Sequence, residues 1–236
     1  MNEKYGMILV PSLAGGGAEK SGLDLYNELK KNYRLVLIES VFDFPIDVQK
    51  ENVSILGSEH KNPLVKMAYI PIASIKLAML IRKFKTKLVM SYTEEANIVN
   101  VLAKFLTGHK AVISQHAPPD WQYHRKGFFG RIVLLVGRIF FKKADHVIAV
   151  SDGIKKSFIE NYCISDERVS MIPNPIKLSQ PSDAVIQTEL PSRFMLHVAR
   201  ITFVQKTQDK VLKAFSKIAD KFPDCALVFA GVGPDM

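Results

Sequence analysis

Apolar residues along the chain fall in short unbroken runs: ILVP (8–11), LVLIES (35–40), LVMSY (88–92), AVISQ (111–115), HVIAV (146–150) and VSMI (169–172). A strand with one face in water alternates apolar and polar residues, whereas a strand covered on both faces is apolar throughout. These runs therefore predict a buried parallel sheet. Helix-like segments separate several of them, the alternation of a doubly wound α/β domain over residues 1–175. The pattern then lapses. Residues 173–192 (PNPIKLSQPSDAVIQTELPS) carry four prolines and no sustained period, so 176–192 reads as a connection between domains.

A second unit is predicted over 193–236. FMLHVA (194–199) is a strand candidate, Val211, Phe215, Ile218 and Phe222 mark the core-facing stripe of a helix over 207–222, and CALVFAG (225–231) is the next strand. A βαβ of about 50 residues is too small to cover a sheet on both faces. The expectation is of a chain that stops part-way into its second domain. No internal repeat or low-complexity tract is visible.

Composition narrows the classes. Of 236 residues 47% are apolar and 23% charged, as in an ordinary globular protein, and 32 Lys and Arg against 23 Asp and Glu leave a net charge of +9, which favours anionic partners. The two cysteines, Cys163 and Cys225, suggest neither a disulfide framework nor a thiolate metal site. Glu3 and the early Pro11 argue against a signal peptide, and a cytoplasmic location is expected. The apolar stretches 67–81 and 132–141 fall short of the roughly 20 residues of a membrane span and are interrupted by Lys76 and Arg138, so no crossing is expected. Aromatic and basic residues do not interleave in a nucleic-acid-binding pattern.

Three glycines, Gly15, Gly16 and Gly17, lie between the first strand candidate and a helix predicted from Ala18 to Lys31. Without Cβ atoms they permit a tight turn and let an anion approach the main-chain N–H groups of a helix N-terminus. A GxGxxG dinucleotide loop would need a third glycine where Lys20 stands, so that pattern fails; Glu39, at the end of the second strand candidate, is what remains of a dehydrogenase alternative. Ser151 is expected to cap a helix, and Asn174 to shape the turn at the domain junction.

Four segments in order, GGGAE (15–19), SDGIKKSFIENYCISDERVSMIPNPI (151–176), HVARITFVQKTQDKVLKAF (197–215) and LVFAGVGP (227–234), resemble family 4 glycosyltransferases of the GT-B architecture. SYTEEANIVNVLAKFLTGHKAVISQHAPP (91–119) is similar to members that build bacterial cell-surface polysaccharides. The resemblance implies an α/β, GT-B-like fold, with a complete N-terminal, acceptor-side Rossmann-like domain and the first βαβ of a nucleotide-sugar-binding domain. It implies a retaining transferase of hexosyl or N-acetylhexosaminyl type that moves a sugar from a nucleotide diphosphate to a lipid-linked or glycan acceptor. The nucleotide-sugar is a substrate, and neither metal nor other cofactor is implied.

Carried over residue by residue, the resemblance gives Arg200 and Lys206 the role of neutralising the diphosphate, and Gly16 and Gly17 that of closing over the donor. It sets His116 beside the transferred sugar, and Gly231 and Gly233 near the nucleotide base. Ala199, Thr207 and Val232 depart from the family pattern. The family's pair of donor-binding glutamates would fall past residue 236, so the 236-residue chain is expected to transfer little sugar. A non-catalytic GT-B-like binding or partner protein is the alternative reading, and an epimerase of the same architecture would want carboxylates in its cleft.

Residues 121–144 contain six Lys and Arg and no acid, with Arg131, Arg138 and Lys142 on one helical face, and IRKFKTK (81–87) adds four more positive charges. These stretches read either as a patch for an anionic membrane, at the inner face of the cell membrane, or as the polar edge of a core helix.

Overall fold

A computed structural model describes residues 6–14, 16–42, 52–60, 62–117, 127–175, 189–233 and 235–236. The chain divides into two compact units, Met1–Lys177 and Leu178–Met236. Residues 176–188 of the expected connection lie outside the described residues.

In the first unit the apolar runs become strands of one parallel sheet: β1 (Gly6–Val10), β2 (Tyr33–Glu39), β3 (Val53–Gly57), β4 (Leu88–Tyr92), β5 (Lys110–Gln115), β6 (His146–Ala149) and β7 (Val169–Met171). Their spatial order is β3-β2-β1-β4-β5-β6-β7, every pair parallel, with Ile8 of β1 registered against Leu35 on one side and Met90 on the other. β1 is buried along its whole length, as an unbroken apolar run requires of a central parallel strand. The sequence pattern missed β3. Its five residues, VSILG, are broken by a serine and a glycine, and as the edge strand it has only one neighbour to satisfy.

The helices are α1 (Gly17–Leu29), α2 (Pro63–Lys83), α3 (Glu94–Thr107), α4 (Gly127–Phe141) and α5 (Asp152–Glu160). Local chemistry sets several ends. Asn62 accepts from the Leu64 N–H (2.9 Å) and Pro63 opens α2, where a missing N–H costs nothing. Gly108, at φ 73, closes α3 with its N–H on the Lys104 carbonyl (2.8 Å). Ser151 caps α5 through the Ile154 N–H, as expected.

The expectation of an apolar stretch too short to span a membrane needs correcting at α2. The helix continues past 67–81 in both directions, and Leu64–Lys83 is long and apolar enough to cross a bilayer by length and composition. It is nevertheless built into the core. Ala73, Leu77, Ala78 and Ile81 pack among Met7, Val36, Val89, Ala96 and Val99.

The second unit contains β8 (Phe194–Val198), α6 (Phe203–Lys206), α7 (Gln208–Ser216) and β9 (Ala226–Ala230), with β8 and β9 paired in parallel. The helix expected over 207–222 stops at Ser216, and only a 3-10 turn, Ala219–Lys221, follows. Phe222 precedes Pro223, whose ring disfavours a helical conformation at the residue before it, and Phe222 indeed sits at φ −137, ψ 65. Two strands and these helices leave Leu196 54% and Val198 72% exposed.

Candidate functional site

Ligands of open parallel sheets bind beyond the carboxyl ends of the strands, where the strand order reverses. Here that point lies between β1 and β4. From β4 the chain enters α3 through Thr93, at φ 72, ψ 164, a region open in practice only to glycine. Its surroundings hold it there. The Thr93 N–H donates to the Ser114 carbonyl (3.2 Å) and its carbonyl accepts from the Asn97 N–H (2.9 Å).

From β1 the chain reaches α1 through Gly16 and Gly17. Gly16 is the N-cap at φ −84, ψ 150, so left-handed backbone does not explain either glycine; Gly15 lies outside the described residues. The missing Cβ of Gly17 leaves open space and that of Gly16 a place for the Glu19 side chain. A Cβ on Gly16 would collide with the Glu19 carboxylate, which folds back toward the helix start, and one on Gly17 would meet nothing within 4 Å. Close helix–sheet approach, the role that Lys20 could not fill, falls to Gly22. A Cβ there would lie 2.6 Å from Val10 Cγ1 and 3.3 Å from Tyr92.

Past the end of β5, His116 stacks at 5.4 Å from Tyr92 and its Nε2 meets Ser114 Oγ at 3.1 Å, while its buried Nδ1 has no hydrogen-bond partner among the described residues. Burial lowers its pKa to about 4, so the ring is neutral at pH 7 and Nδ1 is able to bond a hydroxyl. Gln115 was missed by the sequence reading. Fully buried, it accepts from Asn97 Nδ2 (3.2 Å) and donates to Glu94 (2.8 Å) and to the Ala117 carbonyl (2.8 Å), which fixes a carboxylate at the same edge.

Glu39 does not serve as a ribose-binding acid. It is 3% exposed, paired with Lys66 at 2.8 Å, and accepts the His60 N–H at 3.2 Å, so its oxygens are committed to holding β2 against α2. Beside this pair burial raises the Glu95 carboxyl; the Lys66 charge opposes the shift and Glu39 adds to it.

In the second unit Arg200 and Lys206 lie in one segment that leaves β8, and both are exposed. Gln208, 4% exposed, accepts from the Thr202 N–H (3.3 Å) and donates to the Arg200 carbonyl (2.8 Å), clamping the segment from the first turn of α7. Gly231 and Gly233 hold it from the other side. Ala199 N–H donates to the Ala230 carbonyl (3.1 Å) and Ile201 N–H to the Val232 carbonyl (3.0 Å). A Cβ on Gly231 would strike the Ala199 carbonyl oxygen, and one on Gly233 the backbone of Ile201. Both glycines are therefore required by backbone contact with the Arg200 segment. Replacing Gln208 by methionine is expected to leave the Thr202 N–H and Arg200 carbonyl without this partner. About 1–3 kcal/mol of stability should be lost, measurable by urea unfolding; an unchanged midpoint would show the clamp to be dispensable.

Among the described residues no group of three His, Cys, Asp or Glu stands close enough to hold a metal ion. Of the basic stretch 121–144, α4 supplies Phe141 to the core, where it meets Phe158 at 5.8 Å and Tyr162 at 5.9 Å. Arg138 lies 5.9 Å over the Tyr162 ring, and the Arg131 side chain is outside the described residues. Asn174 is exposed.

A doubly wound parallel unit followed by a βαβ whose first loop carries paired cations defines a GT-B-like α/β protein. The chain belongs to Glycosyltransferase Family 4, which it matches over residues 15–180. It is 24% identical over 202 residues to an uncharacterized glycosyltransferase of Methanocaldococcus jannaschii, covering 79% of this chain and 49% of that one. It is 22% identical over 231 residues to the Campylobacter jejuni N-acetylgalactosamine-N,N'-diacetylbacillosaminyl-diphospho-undecaprenol 4-alpha-N-acetylgalactosaminyltransferase, covering 96% and 62%. The fold superposes on the Anabaena protein Alr3699/HepE, solved with UDP and glucose, with a TM-score of 0.70 at 18% identity, over 98% of this chain and 61% of that chain. The chain thus spans between about half and five-eighths of the length of these proteins.

Proposed function

We propose that the chain forms the acceptor-side unit and part of the donor-side unit of a glycosyltransferase that moves a hexosyl or N-acetylhexosaminyl group from a nucleoside diphosphate to a glycan or lipid-linked acceptor, with retention. The observation that carries the reading is the segment holding Arg200 and Lys206, two exposed cations on backbone braced by Gln208 and by two glycines that tolerate no side chain. The Campylobacter relative is named for an acceptor on diphospho-undecaprenol and the Anabaena structure contains UDP and glucose, which supports a uridine diphosphate donor and a lipid diphosphate-linked acceptor.

In this reading the bond from the anomeric carbon to the diphosphate oxygen breaks while the acceptor oxygen bonds the same face of that carbon. The acceptor's proton passes to the departing diphosphate. Arg200 offers a planar fork of donors and Lys206 a mobile point charge, and both gain in strength as charge gathers on the leaving group. Gly17 leaves room for the donor, at Gly16 the Glu19 carboxylate must swing aside, and neutral His116 bonds a sugar hydroxyl through Nδ1. No step calls for a metal, and the work is assigned to the cytoplasm, where nucleotide-sugars are supplied.

Uridine diphosphate titrated into the chain is expected to raise its unfolding midpoint. At ten times the dissociation constant the gain should be about 1.4 kcal/mol, unaltered by EDTA and lost in Lys206→Ala. Stabilisation that vanishes with EDTA would overturn the metal-free reading, and no response to any nucleoside diphosphate would overturn the donor site.

A further inference from the structure

We infer that the outward face of α2, with the basic residues that follow it, docks the protein on the surface of an anionic lipid bilayer. Leu64, Ala68, Ile72, Ile75 and Met79 recur at helical spacing on the side of α2 turned away from the core. Leu64 is 67% exposed, Ile75 54% and Met79 55%. The patch continues onto the end of α3, where Phe105 is 61% exposed and Arg82 Nη2 donates to the Leu106 carbonyl at 2.7 Å. At 21 residues, Pro71 among them, the helix is about 31 Å long, and the stripe from Leu64 to Met79 runs along most of it.

Charge identifies what covers this face. From His60 to Thr93 the chain has seven Lys and Arg and no Asp or Glu. Lys66 is engaged by Glu39, and Lys76 by the Leu56 carbonyl and Tyr69 hydroxyl, both on the protein side of the helix. Arg82, Lys83, Lys85 and Lys87 gather, exposed, where the apolar stripe ends. A second copy apposed through this face would bring like charges together, whereas an anionic bilayer supplies an apolar interior and a negative headgroup layer side by side. The helix lies on the surface and does not cross it, because Ala73, Leu77, Ala78 and Ile81 remain in the core between β3 and β4.

This inference does not depend on the donor reading, and its readout is vesicle binding alone. The chain should co-float with phosphatidylcholine vesicles containing phosphatidylglycerol and bind pure phosphatidylcholine vesicles about tenfold less or weaker. Ile75→Ser with Met79→Ser, and separately Lys83→Glu with Lys87→Glu, should each reduce binding about tenfold or more at an unchanged melting temperature. Leu135→Ser with Ile139→Ser, on α4, should leave it intact. Absence of binding to anionic vesicles overturns the inference. So does loss in the α4 pair with retention in the α2 pairs, or a dimer in solution that the α2 pairs dissolve without any vesicle binding.

Discussion

Lowering the pH from 7 toward 4 is expected to remove several kcal/mol of stability from the first unit, and two buried imidazoles account for most of it. Burial lowers both His109 and His116 from 6.5 to about 4; for His109 the Lys104 charge adds to the shift and Asp145 opposes it. In the neutral form His109 donates through Nε2 to Asn100 Oδ1 at 2.9 Å and accepts at Nδ1 from the Thr107 hydroxyl at 2.6 Å. Both rings take up protons more readily when the chain is unfolded. Above pH 6.5 they cost the fold nothing, and as pH falls to about 4 the unfolded state is favoured progressively, by about 3 kcal/mol per ring at the lower limit.

Asp145 acts in the same sense, since the Lys104 and Ala111 hydrogen bonds outweigh its desolvation and lower its carboxyl. Glu95, raised by burial, opposes them, because the folded state binds its proton first. Urea unfolding at stepped pH should show the loss, and His109→Gln should flatten the curve between pH 6.5 and 4. A midpoint independent of pH across that interval would refute the assignment.

How far the site was legible in the sequence depended on whether its cause was local. LVMSY gave β4 its limits because an apolar run between Lys87 and Thr93 records burial directly. The cap at Ser151 followed from residue type alone. Gly22 was invisible, because its requirement comes from how α1 packs on Val10 of β1 and on Tyr92 of the distant β4. Gln208 and Gln115 were invisible for the same reason. An amide at the start of a helix or the end of a strand looks solvated until a carbonyl or carboxylate from another segment is seen against it. Thr93 carried no signal at all, since threonine is among the residues least suited to its backbone angles.

The glycines divide along the same line. On sequence grounds Gly15, Gly16 and Gly17 permit either a tight turn or the approach of an anion, and the family resemblance sets Gly231 and Gly233 near a nucleotide base. Gly17 does leave space at the start of α1, Gly16's is filled by the Glu19 carboxylate, and Gly231 and Gly233 are closed on by the backbone of Ala199 and Ile201. The second pair therefore shapes the Arg200 segment by backbone contact.

That arrangement sets the second large expectation. In an enzyme with a complete donor-side unit, replacing Arg200 by alanine should lower sugar-transfer turnover by about 10²- to 10³-fold, some 2–4 kcal/mol of transition-state stabilisation, the scale seen when a preorganised donor to developing charge is lost. The scale rests on preorganisation, for the Arg200 carbonyl is held by Gln208, and the flanking Ala199 and Ile201 N–H groups donate to the carbonyls of Ala230, at the end of β9, and of Val232. An arginine on an unbraced loop would spend part of its interaction on ordering itself. Hence Gln208→Met, which frees the backbone but keeps the guanidinium, should fall between wild type and Arg200→Ala in turnover, while Arg200→Lys should recover little because a point charge cannot reproduce a bidentate fork. Uridine diphosphate affinity provides a second readout that needs no turnover, and it should weaken in the same order. Equal activity in Arg200→Ala and wild type would remove the guanidinium from the reaction and leave Lys206 as the only side-chain cation proposed for the leaving group.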